Sequence, residues 1–337
     1  MATRVLLTID TELTWRHFVE GAGWRDNFAL SYDPAGVGIP YQLRLLKACG
    51  LKACFFVDPM PALVYGIEPV ARMIEPILAA GQEVQLHVHS FWSDLAEGRK
   101  SDARFELTCF DASGQKRLLE TARALLIAAG APAPTAFRAG SFAANADTLA
   151  ALRAIGLRYD SSHNGAEHPQ VSALPFDAAL LDPTAREGII EAPVSQIARA
   201  GGGLRPLQLC ALSTQEMVAA LSHAALHDHA ATTIVSHSFE LASRDGKRVN
   251  ELVRGRFENL CRLLALNREQ MPTARFEDIR AHDGRAARPL PAATIRTARR
   301  YAEQAWGDVR YEKPLVGAAM AAAAPLGLIA GIALDGL

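Results

Sequence analysis

Short apolar, β-branched runs alternate along the chain with longer stretches in which apolar residues recur every three or four positions, the rhythm of βαβ units feeding a parallel sheet. Seven runs read as strands: residues 4–9, 52–57, 83–88, 135–138, 157–160, 189–194 and 232–235. Helical periodicity fills 41–49, 68–80, 115–129, 147–155, 214–227 and 250–267. Gly50, Gly81, Gly130 and Gly156 each stand just past the last periodic residue, where a left-handed residue closes a helix. Strands followed in turn by helices predict a parallel α/β architecture, either a barrel or a doubly wound sheet. Between residues 163 and 206 the rhythm breaks, punctuated by Pro169, Pro175, Pro183 and Gly201 to Gly203, and loop or irregular strand covering one end of the barrel is expected there. The pattern changes again after Asp283: a Pro- and Arg-rich linker (285–291), a short charged helix (294–306), then an apolar tail. The domain expectation is therefore a barrel over 1–283 and an extension over 284–337.

The length of 337 residues suits one large barrel of ~250 residues with an appendage. With 35 basic and 36 acidic side chains the formal net charge is -1, and no Lys/Arg run exceeds two residues, so nucleic acid is excluded as a partner. Five scattered cysteines without a Cys-x-x-Cys pair read as free thiols in a reducing compartment. The opening residues reach Asp10 and Glu12 before any secretory core could form, which gives a cytoplasmic expectation. Residues 315–334 qualify it: 20 residues without a charge are long enough to span a bilayer, and Gly327 and Gly331 suit close helix packing. Pro325 and the many Ala and Gly residues weaken insertion, so the expectation is a cytoplasmic protein, with membrane contact through 315–334 as the alternative.

In parallel α/β folds active sites are built at the carboxyl ends of the strands. The first strand runs into Asp10 and Glu12, the third into His87 and His89, the fourth into Arg138, the fifth into Asp160 and the last into His237. Residues i and i+2 of an extended segment face one side, so Asp10 and Glu12 share a space in which one carboxylate can ligate a cation while the other acts as a base. His87 and His89 do the same with two imidazoles, the commonest ligands of zinc and similar divalent cations. A competing cluster, His223, His227 and His229, lacks the Glu of a zinc-hydrolase helix motif and fits histidines favoured near a helix C-terminus. His237 can exchange a proton near neutral pH, and Arg138 precedes Ala139-Gly140-Ser141, whose small residues let a backbone N–H approach an oxyanion.

In this order and spacing the set resembles the polysaccharide deacetylases, the NodB-homology group also called carbohydrate esterase family 4, over roughly the first 280 residues. The family's Thr-Phe-Asp-Asp is Thr8-Ile9-Asp10-Thr11-Glu12 here: Asp10 matches the base, Thr11 stands at the usual ligand position, and Glu12 is the nearest substitute. The second motif, with two His four residues apart, is similar to the run ending at His87, but residue 91 is Phe91 and the second His is His89. Phe137-Arg138-Ala139-Gly140-Ser141 resembles the third motif, Tyr159-Asp160-Ser161-Ser162 the fourth and Val235-Ser236-His237 the fifth.

The resemblance implies a distorted (β/α)7 barrel and a metal-dependent hydrolase that removes an N-acetyl group from a sugar of a surface polysaccharide or its cytosolic precursor. It implies a divalent cation, zinc or another first-row ion, on Glu12, His87 and His89; Asp10 as base, oriented by Arg138; the backbone near Ser141 at the oxyanion; Asp160 supporting the site; and His237 as acid. Trp15, Trp24 and Trp92 lie near these loops as candidate platforms for a sugar ring. Two other readings keep the barrel: a metal-independent allantoinase-like amidohydrolase acting on a small ureide, favoured by Thr11 and opposed by His87 and His89, and a non-catalytic carbohydrate-binding barrel.

Overall fold

The computed structural model describes residues 2–99, 103–282 and 287–312. Its strands are β1 (Arg4–Thr11), β2 (Cys54–Val57), β3 (Glu83–Val88), β4 (Ala136–Ala139), β5 (Tyr159–Asp160), β6 (Thr184–Arg186), β7 (Ile189–Glu191), β8 (Gln196–Ala198), β9 (Leu204–Pro206) and β10 (Ala231–His237). The main sheet runs in the order β10-β1-β2-β3-β4-β5-β7-β6. Its first seven strands are mutually parallel, and β6 lies antiparallel against β7. Every residue of β1 except Arg4 is buried, as is all of β2. Strands covered on both faces have no solvent side to alternate toward, which is why they read as near-continuous apolar runs.

Alternation along these strands separates two cores. Leu7, Ile9, Phe55, Leu86, Val88 and Phe137 belong to a large cluster shared with the helices. Leu6, Cys54, Phe56, Ala136, Tyr159, Ala192 and Ala231 form a smaller one with Phe276, which follows the last long helix of the barrel. Phe276 meets Phe56 and Tyr159 edge-on at centroid distances of 5.4 and 5.9 Å. The apolar half of the barrel interior is thus filled, and the polar side chains occupy the strand carboxyl ends.

Residues 163–206 are loop and short irregular strands, β6 to β9, as expected, but the placement over one end of the barrel needs amendment. This segment closes the side of the barrel between β7 and β10: the Ser195 N–H donates to the Thr233 carbonyl at 3.1 Å, and the Val235 N–H donates to the Leu207 carbonyl at 3.0 Å. Without it, the free edge of β10 would leave buried amides unpaired, a cost of a lost hydrogen bond each.

The helices are α1 (Trp15–Val19), α2 (Trp24–Tyr32), α3 (Ile39–Cys49), α4 (Ala62–Tyr65), α5 (Glu68–Ala79), α6 (Phe91–Ala96), α7 (Ala112–Ala128), α8 (Ala146–Ala154), α9 (Thr214–Leu226), α10 (Glu251–Leu266) and α11 (Thr294–Gly307). Six match the periodic stretches to within a few residues, and α11 matches the charged one. The short helices α1, α4 and α6, and α2, carry little apolar periodicity. In α2 the buried positions are polar: Asn27 Nδ2 donates to the Thr14 carbonyl at 3.1 Å, and Ser31 Oγ accepts from the Thr14 N–H at 3.0 Å.

On the barrel wall, α11 is fixed by ion pairs: Arg300 Nε meets Glu216 Oε1 at 3.2 Å, and Arg256 Nη2 meets Glu303 Oε2 at 2.9 Å. All five cysteines are free thiols. Among the described residues no helix is long and apolar enough to cross a membrane. Residues 315–334, and with them the alternative of membrane contact, lie outside the described residues.

Candidate active site

Register brings the polar residues to one level. Asp10 pairs with His237 across β1 and β10, and His87 with Arg138 across β3 and β4. At their centre lies Arg138, wholly buried. Its Nη1 donates to Asp10 Oδ1 at 2.7 Å and to Thr8 Oγ1 at 2.8 Å. Its Nε donates to the Ser161 carbonyl at 3.1 Å and its Nη2 to Ser161 Oγ at 3.0 Å, while the guanidinium lies 4.4 Å from the Phe56 ring centroid. A buried cation is tolerated only with such saturation, and here it fixes one oxygen of Asp10 and leaves the other toward His237.

Glu12, His87 and His89 bring three ligand atoms within 4.8 Å of one another, the one such His/Cys/Asp/Glu group among the described residues. Glu12 Oε2 lies 2.5 Å from His89 Nε2 and 3.5 Å from His87 Nε2, yet it makes no hydrogen bond of acceptable geometry. His87 Nδ1 sits 2.8 Å from the Arg138 carbonyl and must carry the proton there. Its Nε2 lone pair therefore faces Glu12, the second-sphere arrangement of a ligating imidazole. A carboxylate oxygen without a hydrogen bond, a tautomer-locked imidazole and a second imidazole make a donor set that fits a divalent cation of the zinc class.

Charges in the cluster reinforce one another. Burial pushes the Glu12 carboxyl upward, but the adjacent His89 and His87 hold it well below the usual range. Burial likewise opposes a charge on His89, and the Glu12 carboxylate overrides it, lifting that imidazole to about 9. Gly140 is required by contact: a Cβ there would lie 2.5 Å from His89 Nδ1. The following Ser141 and Phe142 are both left-handed, with φ of 54° and 59°, a strained turn beside the cluster of the sort found at functional sites.

His237 lies across from Asp10, its Nε2 4.0 Å from Asp10 Oδ2. Its Nδ1 is 3.2 Å from Glu240 Oε2, and burial, which alone would lower its pKa, is overcome by Glu240, Asp10 and Glu12 to give about 9. From α3, Gln42 Nε2 donates to the carbonyls of His237 and Ser238 at 3.3 and 3.2 Å, holding the end of β10 in place.

One expected site residue, Trp92, stands elsewhere. Trp92 is wholly buried, with Phe91, Phe18 and Tyr65 at centroid distances of 4.7, 5.5 and 5.8 Å. It is core, and a sugar ring cannot reach it. Trp15 packs edge-on against Phe105 at 5.4 Å, and Trp24 has Arg25 and Arg72 over its ring at 4.5 and 5.6 Å. Asp160 is buried in the supporting position expected of it and accepts from Ser162 Oγ at 2.6 Å, while Ser162 Oγ accepts from the Ala139 N–H at 2.9 Å. It braces the backbone after Arg138 from behind; the neighbouring Ser161 faces the site. Beside it Glu191 is pushed well above the carboxylate range by burial and by the Asp160 charge.

Missing from the expectations were Asp58, Glu240 and Glu106, whose carboxyl burial raises against the pull of His89 and a hydrogen bond from Ser141. Asp58 directly follows β2, the same strand-end position that singles out Asp10, and is buried with Oδ2 unpartnered. Burial raises it to about 7 against the opposing pull of His89 and His87. The rings of His223 and His227 lie 4.2 Å apart, but His223 Nε2 bonds to the Arg288 carbonyl at 3.0 Å, consistent with a structural cluster.

No protein-family profile and no curated protein matches the chain. Among solved structures it is similar to a candidate polysaccharide deacetylase from Mycobacterium smegmatis, at 19% identity and a TM-score of 0.52 over 86% of this chain and 94% of that one. It is also similar to a family 4 carbohydrate esterase from Streptomyces lividans in complex with acetate (13% identity, TM-score 0.40, 85% and 98% of the two chains). A third is a pseudoenzyme of that family from Bacillus anthracis (12% identity, TM-score 0.40, 88% and 65%). The first likeness shows that the chain has the polysaccharide deacetylase fold, a distorted (β/α)7 barrel.

Proposed function

We propose that the protein is a metal-dependent hydrolase that removes the N-acetyl group from an acetylated amino sugar. The observation that carries this reading is the convergence, at one end of the barrel, of a three-atom ligand set with a buried Asp–Arg pair and a His–Glu pair. Glu12, His87 and His89 would hold the divalent cation, which when bound supplies polarisation of the acyl carbonyl and acidification of a water.

The rest of the chemistry belongs to the chain. Asp10, with Oδ1 held by Arg138, presents Oδ2 as the base that takes the attacking water's proton. His237, charged through Glu240, gives a proton to the departing nitrogen, so amide and water become amine and acetic acid, which part as ammonium and acetate with no net proton change. The 4.0 Å between Asp10 Oδ2 and His237 Nε2 is too long for a hydrogen bond and leaves the two groups to act on opposite sides of the reacting carbon. The backbone of the turn at Gly140 and Ser141 is assigned to the oxyanion. Asp160 supports this turn through Ser162 and the Ala139 N–H.

The test is acetate release from N-acetylglucosamine oligomers by purified protein, with metal content measured before and after chelation. Release that stops on chelation and returns with zinc or another divalent cation is expected. Chelator-insensitive hydrolysis of a ureide, or sugar binding without release, would replace this reading with the allantoinase-like or the binding-only alternative.

A further inference from the structure

Among the described residues, an apolar stripe on α11 is left largely uncovered, its one ring contact being Trp306 edge-on to Tyr311 at 5.8 Å. Ile295 is 83% exposed, Trp306 56%, and Val309, in the turn that follows, 61%. With the exposed Ala298 and Ala302 they recur at steps of three and four residues and so share one side of the helix. Single exposed apolar residues are ordinary, whereas a contiguous row marks an interaction surface. The opposite side of α11 is anchored: Arg300 is buried on Glu216, Arg256 holds Glu303, and a Cβ at Gly307 would touch Leu252 Cδ2 at 3.4 Å. Turning the stripe inward would break both ion pairs, so the barrel presents it outward.

Charge and the chain that follows select the occupant. Arg296, Arg299 and Arg310 flank the stripe; of the acids nearby, Glu303 is engaged by Arg256 and Arg299, and Asp308 is exposed. Beyond Glu312 the sequence continues into 20 residues without a charge, 315–334. A helix with Trp, Ile and Val on one side and Arg alongside is built to lie in the headgroup region of an anionic bilayer.

We propose that the outer face of α11 is an in-plane docking surface for an anionic lipid bilayer, seated through Ile295, Trp306 and Val309. Docking there also places the catalytic end near the lipid. The Arg244 N–H donates to the Tyr311 carbonyl at 3.3 Å, just past α11. Arg244 lines, with Cys210, Glu240 and His237, a cavity of about 240 Å3. The substrate such a site would meet is an acetylated sugar carried at the membrane surface, a consequence that rests on the deacetylase reading although the docking surface itself does not.

The test uses the full chain, sedimented with vesicles of phosphatidylcholine and phosphatidylglycerol in equal parts and with phosphatidylcholine alone. The comparison is with the double variant Ile295→Glu/Trp306→Glu. Ile295 is exposed and Trp306 half-exposed against Tyr311, so an unchanged melting temperature confirms that the variant is folded. Expected are binding to the anionic vesicles, a loss of about tenfold or more in the variant, and quenching of Trp306 by acyl-brominated lipid, isolated by subtracting Trp306→Phe. Equal binding by parent and variant would assign the affinity to 315–334 and overturn the proposal, as would a parent that ignores both vesicles. A dimer that the variant dissolves would give the stripe to a second copy. None of these readouts requires turnover, so failure here and failure of acetate release are distinguishable.

Discussion

Replacing Glu240 by Gln tests the acid of the proposed reaction most sharply, because the geometry ties the effect to pH. Glu240 Oε2 lies 3.2 Å from His237 Nδ1 and is the largest influence that raises this imidazole from 6.5 to about 9 against burial. A raised folded-state value means the donor form is present at low pH and is lost as pH rises through about 9. Gln keeps the shape but not the charge; the largest influence raising the imidazole is gone, Asp10 and Glu12 alone oppose burial, and the donor is lost at lower pH than in the parent. Were the imidazole to return fully to 6.5, the protonated fraction at pH 8 would fall from about nine-tenths to about 3%, so the loss in kcat/KM there is at most about 30-fold, and at pH 6 it shrinks to under about twofold. The assay is acetate release across pH 5.5 to 9.5, with Glu240→Asp as the conservative control expected to recover most of the alkaline limb. A uniform loss at every pH, or an alkaline limb that stays in place, would refute His237 as the proton donor tuned by Glu240.

The other expectations concern the frame around that donor. Arg138→Met leaves Asp10 buried without its cation and should cost about 3–5 kcal/mol in urea unfolding; Arg138→Lys should recover little, because one ammonium cannot span Asp10, Thr8 and Ser161. Gly140→Ala pushes a methyl to 2.5 Å from His89 Nδ1 and should weaken metal retention about tenfold or more, read by metal analysis on a variant whose melting temperature is close to the parent's. Trp92→Ala should cost about 3–5 kcal/mol of stability, while Trp92→Phe, being milder, should leave KM unchanged; a raised KM in the folded Phe variant would return this residue to the sugar.

What the sequence revealed and what it hid follow from how each segment is buried. Strands covered on both sides announce themselves as apolar runs, and where such a run ends in Asp, His or Arg the polar group must face either solvent or a site. That logic located Asp10, His87, Arg138 and His237, and applied with equal rigour it would have located Asp58 after β2. It could not see α2, whose buried side is Asn27 and Ser31 bonded to Thr14, because polar burial leaves no apolar period. Nor could it see that 194–209 closes the barrel, since the closure is made by backbone N–H and carbonyl groups that every sequence possesses. Trp92 misled for a related reason: proximity in sequence to His89 says nothing about which way α6 turns, and three aromatic neighbours turn it inward.

The departures from the polysaccharide deacetylase motifs have a common geometric origin. Thr11, standing where the family places an acidic ligand, is buried, and its Oγ1 donates to the Ile9 carbonyl at 3.1 Å. It lies on the face of β1 opposite Asp10, so a ligand is needed one residue further on. In the proposed site Glu12 would supply it: two positions after Asp10 it returns to the barrel interior, and its extra methylene carries the carboxylate to the imidazoles. His89 stands in the same relation to His87, and Gly140 clears the space its ring requires. An i, i+2 pair on β1 and another on β3 thus converge with no helical turn between the ligands. Each of the three positions depends on the other two, so moving the carboxylate back, as in the exchange Thr11→Asp with Glu12→Thr, would lengthen its path to His89 and is not equivalent to restoring the family pattern.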